Sequence, residues 1–247
     1  MTARSYWKLS RAPRYSLLFA LPLMVLYEIL ALMLTDPEGR GVRNAADVIL
    51  KQVFIALVGP DGPILFWACL MAVGLWLVWR DVRRNGPGVT PVVFAGMLAE
   101  ATLLALVVGA VVGLLTATVL RPLTLAAAAA AAPPSDALTV PARLMVSLGA
   151  GLYEELLFRV LLVSLLWWFG ARVLGLRPQV AGAAAALGGA LAFSAFHYIG
   201  PYGDRLALYS FTFRFIAGLF FSGLYLLRGF GITAWTHALY DVFLLVV

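Results

Sequence analysis

Both histidines of the 247-residue chain, His197 and His237, lie in stretches apolar enough to sit in a membrane, and a third such stretch carries Glu154-Glu155-x-x-x-Arg159. Ionisable groups at membrane depth are costly and mark function by default. On a helix, Glu155 and Arg159 stand four apart with the acid first, the favourable order for an ion pair, while Glu154 is turned about 100° away. One acid then holds structure and the other faces the interior. Phe193-x-x-x-His197 and His237-x-x-x-Asp241 each put two side chains on one helix face. A carboxylate and an imidazole in a partly dry cavity can share the removal of a proton from water. A second imidazole with a hydrogen-bonding neighbour can stabilise the oxyanion formed when that water attacks a peptide carbonyl.

The elements that position these groups are predicted to be membrane helices. Hydrophobic residues make up 63% of the sequence and charged ones 12%, and mean hydropathy is +0.95. A soluble domain of this length needs far more charge to cover its surface, so the fold class is all-α: a polytopic transmembrane helical bundle of six to eight helices. The whole of 1–247 reads as a single membrane-embedded domain, with N-terminal spans and loops over 1–141 and the helices that carry the three motifs over 142–247. A net charge of +6 does not indicate nucleic acid, because the basic residues gather at segment ends, where anionic lipid and topology account for them. Cys69, the single cysteine, forms no internal disulfide and reads as a small buried hydrophobe.

Along the chain, Arg4, Lys8, Arg11 and Arg14 precede an apolar run from Tyr15 to Leu34 that reads as a retained first span. Ala45 to Val58 carries Asp47, Lys51 and Gln52 at helical spacing and is expected to lie along the membrane surface. Pro63 to Trp79 and Val92 to Leu120 are spans, and the alanine-rich Ala126 to Pro134 is a helical stub or linker. Ala142 to Phe169 exceeds the roughly 20 residues needed to cross and is tilted or protrudes. Val180 to Tyr198, with small residues over Ala181 to Ala192 permitting close approach, Leu206 to Leu227 and Gly231 to Val247 complete six or seven spans. With a cytoplasmic N-terminus, the positive-inside rule is met throughout and His197 falls near the outer face. Glu28, Glu100 and Arg214 lie within or near spans, and a cross-helix pair between Arg214 and one of those acids is expected.

In order, internal spacing and placement in late helices, the three motifs resemble those of the CPBP family, also called ABI or CaaX-protease-like; the resemblance covers roughly Ala142 to Val247, and the first half resembles the family only as generic spans. It implies an intramembrane glutamic endopeptidase. In that reading Glu154 and His197 activate the water, His237 and Asp241 form the oxyanion site, and Glu155, Arg159 and Phe193 support them, with no metal. Asp241 departs from the family's usual asparagine. An ionised aspartate repels an oxyanion, so the expected role of Asp241 is to orient His237.

The expected partners are a membrane-anchored protein or peptide substrate and the bilayer, with the oligomeric state open. Expected cofactors are none. A zinc-dependent metalloprotease ranks below this reading, since Glu, two His and Asp are zinc-ligand types but no His-Glu-x-x-His pair occurs. Cleavage of prenylated CaaX proteins is an alternative to C-terminal processing of exported, membrane-anchored proteins. A proton-coupled carrier and a non-catalytic immunity or scaffold protein are rivals of other classes. The Arg-rich, Ala-rich composition points to a multi-pass protein of a prokaryotic inner membrane.

Overall fold

The computed structural model describes residues 2–245 apart from 37, 39, 40, 87, 122–137, 201 and 202. No strand occurs among the described residues. The helices are α1 (Ala3–Ser10), α2 (Pro13–Met33), α3 (Ala45–Val58), α4 (Gly62–Asn85), α5 (Pro91–Leu120), α6 (Val140–Gly149), α7 (Ser164–Arg172), α8 (Pro178–Phe196), α9 (Leu208–Arg228) and α10 (Phe230–Leu245). A 3-10 turn, Gly59–Asp61, joins α3 to α4, and π-helical turns, Ala150–Glu154 and Leu156–Val163, carry α6 into α7. Five segments, Pro13–Met33, Ala45–Asn85, Pro91–Leu120, Pro178–Phe196 and Leu208–Arg228, are long and apolar enough to cross a membrane. The expected all-α membrane bundle is borne out, while the alanine-rich stretch 126–134 lies outside the described residues.

The helices form two compact units: Met1–Thr102, Thr139–Leu157 and Arg228–Val247 make the first, and Leu103–Leu138 with Phe158–Leu227 make the second. In the first, Leu23, Tyr27 and Ala31 of α2 meet Ala46 and Leu50 of α3, Phe66 of α4, Met145 and Leu148 of α6, and Ala234 and Ala238 of α10 in one buried cluster. Close approach at Gly151 makes this possible. A Cβ there would collide with the Ala234 carbonyl oxygen and stand 2.6 Å from Ala238 Cβ. Arg228, 2% exposed, gives Nε and Nη2 to the two Glu100 oxygens at 2.6 and 2.7 Å, and Nη2 also reaches Ser10 Oγ at 2.9 Å. Tyr6 of α1 donates to the same carboxylate at 2.6 Å, and burial, then that carboxylate, pushes its hydroxyl above the ordinary tyrosine range. This network ties the basic N-terminal helix to the bundle.

The second unit packs α8 against α7. A Cβ on Gly170 would stand 3.2 Å from Ala181 Cβ, and one on Gly189 would collide with Val163 Cγ2, so small residues in α8 do admit a close neighbour.

Three expectations are corrected. Cys69 is exposed on α4, because a spanning helix turns an equally apolar face to acyl chains and to its core. Arg214 pairs with Asp204, ten residues before it, whereas Glu28 takes Arg43 and Lys51, and Glu100 takes Arg228. In α3, Asp47 is fully buried and Lys51 is 14% exposed, their polar face turned inward rather than to a membrane surface.

Candidate active site

Glu154 and Glu155 sit where the helix leaves α geometry. Turns bonded i→i+5 occur mostly as short bulges inside α-helices, frequently at functional sites. Tyr153 anchors the segment: its hydroxyl donates to Glu28 Oε1 at 2.8 Å, and its ring packs edge-on against Tyr27, 5.0 Å between centroids.

In the first unit, Glu155, fully buried, accepts from His237 Nδ1 at 2.6 Å. His237 is 4% exposed, and its Nε2 lies 3.7 Å from Asp241 Oδ2. The imidazole therefore stands between two carboxylates, one from a different helix and one a turn away on α10. Glu154, 7% exposed, accepts from Asn44 Nδ2 at 2.8 Å. Sequence reasoning missed Asn44 because a short polar residue ahead of an apolar run signals only a helix cap.

In the second unit, His197 follows the last residue of α8, and its Nδ1 lies 2.9 Å from the Phe193 carbonyl oxygen. A carbonyl only accepts, so Nδ1 carries the proton, and whenever the ring is neutral its lone pair is at Nε2. The Phe193 and His197 rings, 5.0 Å apart between centroids, share the helix face that their spacing predicts. The fully buried Arg159 guanidinium lies 4.4 Å from the Phe193 ring centre and reaches the Gly218 carbonyl at 3.5 Å. Phe158 packs edge-on against both Phe193 and Phe196. Among the described residues, no group of three His, Cys, Asp or Glu side chains gathers as metal ligands do.

The fold and these sites define a class: a multi-pass helical membrane protein with a carboxylate–imidazole contact buried in its late helices. Residues 136–243 match the family model of the type II CAAX prenyl endopeptidase Rce1-like proteins. Over these residues the chain is similar to the Rce1-like, CAAX-protease-like family, as the three motifs imply, and that family is one of proteases, hydrolases of peptide bonds. No curated protein and no solved structure matches the chain.

Proposed function

We propose that the protein is an intramembrane endopeptidase that hydrolyses a peptide bond of a membrane-anchored protein substrate in C-terminal processing, with water activated by Glu154 and His197. Support comes foremost from the buried bond between Glu155 and His237, which brings a carboxylate and an imidazole of two late helices together beside Glu154, itself buried and held by Asn44. The base-competent nitrogen of His197 fits the same chemistry.

Water oxygen attacks the scissile carbonyl carbon while its proton passes to the Glu154–His197 pair. The carbonyl oxygen gains negative charge, which an N–H of His237 stabilises. To donate from both nitrogens the ring carries a positive charge, and Glu155 and Asp241 flank it. The C–N bond then breaks, and the departing amine takes the proton held by the pair. Asp241 orients His237 in this scheme, and Arg159 with Phe193 supports the helix end that presents His197. No metal enters it. Glu154, His197, His237 and Asp241 are nonetheless plausible zinc donors by type, so chelation is a direct test.

The family description favours a second substrate reading, a prenylated CaaX protein. The outer-face placement of His197 expected from charge topology favours tails of exported proteins in a prokaryotic inner membrane. Two quenched peptides, one farnesylated at a CaaX cysteine and one with an unmodified apolar tail, offered to the purified protein in vesicles, separate the two. Whichever is cut, Glu154→Gln and His197→Ala each lower kcat by about 10²–10⁴-fold, the contribution of a general base. Either variant cutting at the parental rate overturns the proposal.

A further inference from the structure

We propose that Asn44, from the half of the chain outside the family match, is a positioning residue for the Glu154 carboxylate. This rests on the reading of Glu154 as the water-activating base. Asn44 is 4% exposed and caps α3, its Oδ1 accepting from the Ala46 N–H at 2.9 Å. That bond settles which end of the amide is which: the Ala46 N–H donates, so oxygen faces it and the NH2 group faces Glu154 Oε1 at 2.8 Å.

The amide cannot easily turn. Its own backbone N–H donates to the Tyr27 hydroxyl at 3.2 Å, and that hydroxyl donates to the buried Asp47 at 2.9 Å. Gly149, one turn before the acids, brings α6 hard against this corner. A Cβ at Gly149 would stand 2.8 Å from Asn44 Cβ and 2.6 Å from Tyr27 Cε2. Residues of α2, α3 and α6 thus converge on one neutral donor whose position is set by a helix start. A charge-assisted bond of this length fixes the carboxylate plane that a base presents to water.

Asn44→Ser and Asn44→Asp separate this role from capping, because both replacements are good helix N-caps and neither supplies an amide donor. The readout is an infrared pH titration of purified protein, following the protonated-carboxyl band that Glu154→Gln abolishes. In Asn44→Ser the band titrates about one to two pH units higher than in the parent, the equivalent of one hydrogen bond to a charged group. Asn44→Asp moves it further, since a second carboxylate then faces the first. Melting temperature stays within a few degrees, and on the cleaved peptide kcat falls at low pH while KM holds. An unmoved band in both variants overturns the inference, whatever the activity of Glu154→Gln. A band that moves while Glu154→Gln still cuts at the parental rate overturns the catalytic reading instead and leaves the Asn44 contact standing.

Discussion

In the proposed mechanism the two imidazoles do opposite work, and their Nδ1 atoms touch different groups. A backbone carbonyl fixes the tautomer of the neutral His197 ring, with its lone pair at Nε2; a carboxylate, Glu155, holds His237. His237→Ala is expected to lower kcat about 10²–10³-fold, the cost of one oxyanion donor. Glu155→Gln, which keeps the shape but removes the charge beside Nδ1, is expected to cost about 10–100-fold. Asp241→Asn retains an oxygen beside Nε2 and is expected to stay within about tenfold of the parent. Steady-state kinetics on the cleaved peptide ranks the three, and Asp241→Asn as damaging as His237→Ala would contradict the orienting role. Glu154, Glu155, His197 and His237 are legible in the sequence because charge and imidazole stand out in apolar surroundings. Asn44 is not, because its partner lies 110 residues away and nothing local encodes that meeting.

A long helix over the acidic cluster is legible from its apolar run, but its π turns are not. No proline or unusual spacing marks residues 150–163, and the widening depends on what packs there. Gly151 is the tight point. Gly151→Ala would drive a methyl into the Ala234 carbonyl, and shifts in backbone of this kind cost about 1–3 kcal/mol. Thermal unfolding in detergent should show a lowered Tm, with activity falling as the acids move against His237. Gly74→Ala on α4 is the control: its Cβ meets nothing within 4 Å, and replacing a helical glycine there should gain up to about 1 kcal/mol. Equal melting of the two variants would contradict the close helix approach. α3 illustrates the reverse failure, since Asp47 and Lys51 at helical spacing suggest a wet face but find each other, 2.6 Å apart, inside the first unit.

For the whole molecule, composition determines class and membrane embedding, yet hydropathy does not say which apolar face is core and which meets lipid. Cys69 is misread for this reason, and it also gives a handle on topology. In a Cys69→Ser background, exposed Arg84→Cys and Arg205→Cys should react with a membrane-impermeant maleimide from opposite sides, Arg205→Cys from outside. Labelling with the sides exchanged, Arg205→Cys from the cytoplasm, would invert the topology and move weight to prenylated cytoplasmic substrates. Cleavage is expected to survive exhaustive chelation, and loss with rescue by added zinc would establish the metalloprotease instead. The most direct test of the central claim compares wild type with Glu154→Gln in the native cell by mass spectrometry of membrane-protein C-termini. New C-termini that appear with wild type and vanish with Glu154→Gln are the predicted result; the same termini at the same abundance with Glu154→Gln would contradict catalysis by that carboxylate.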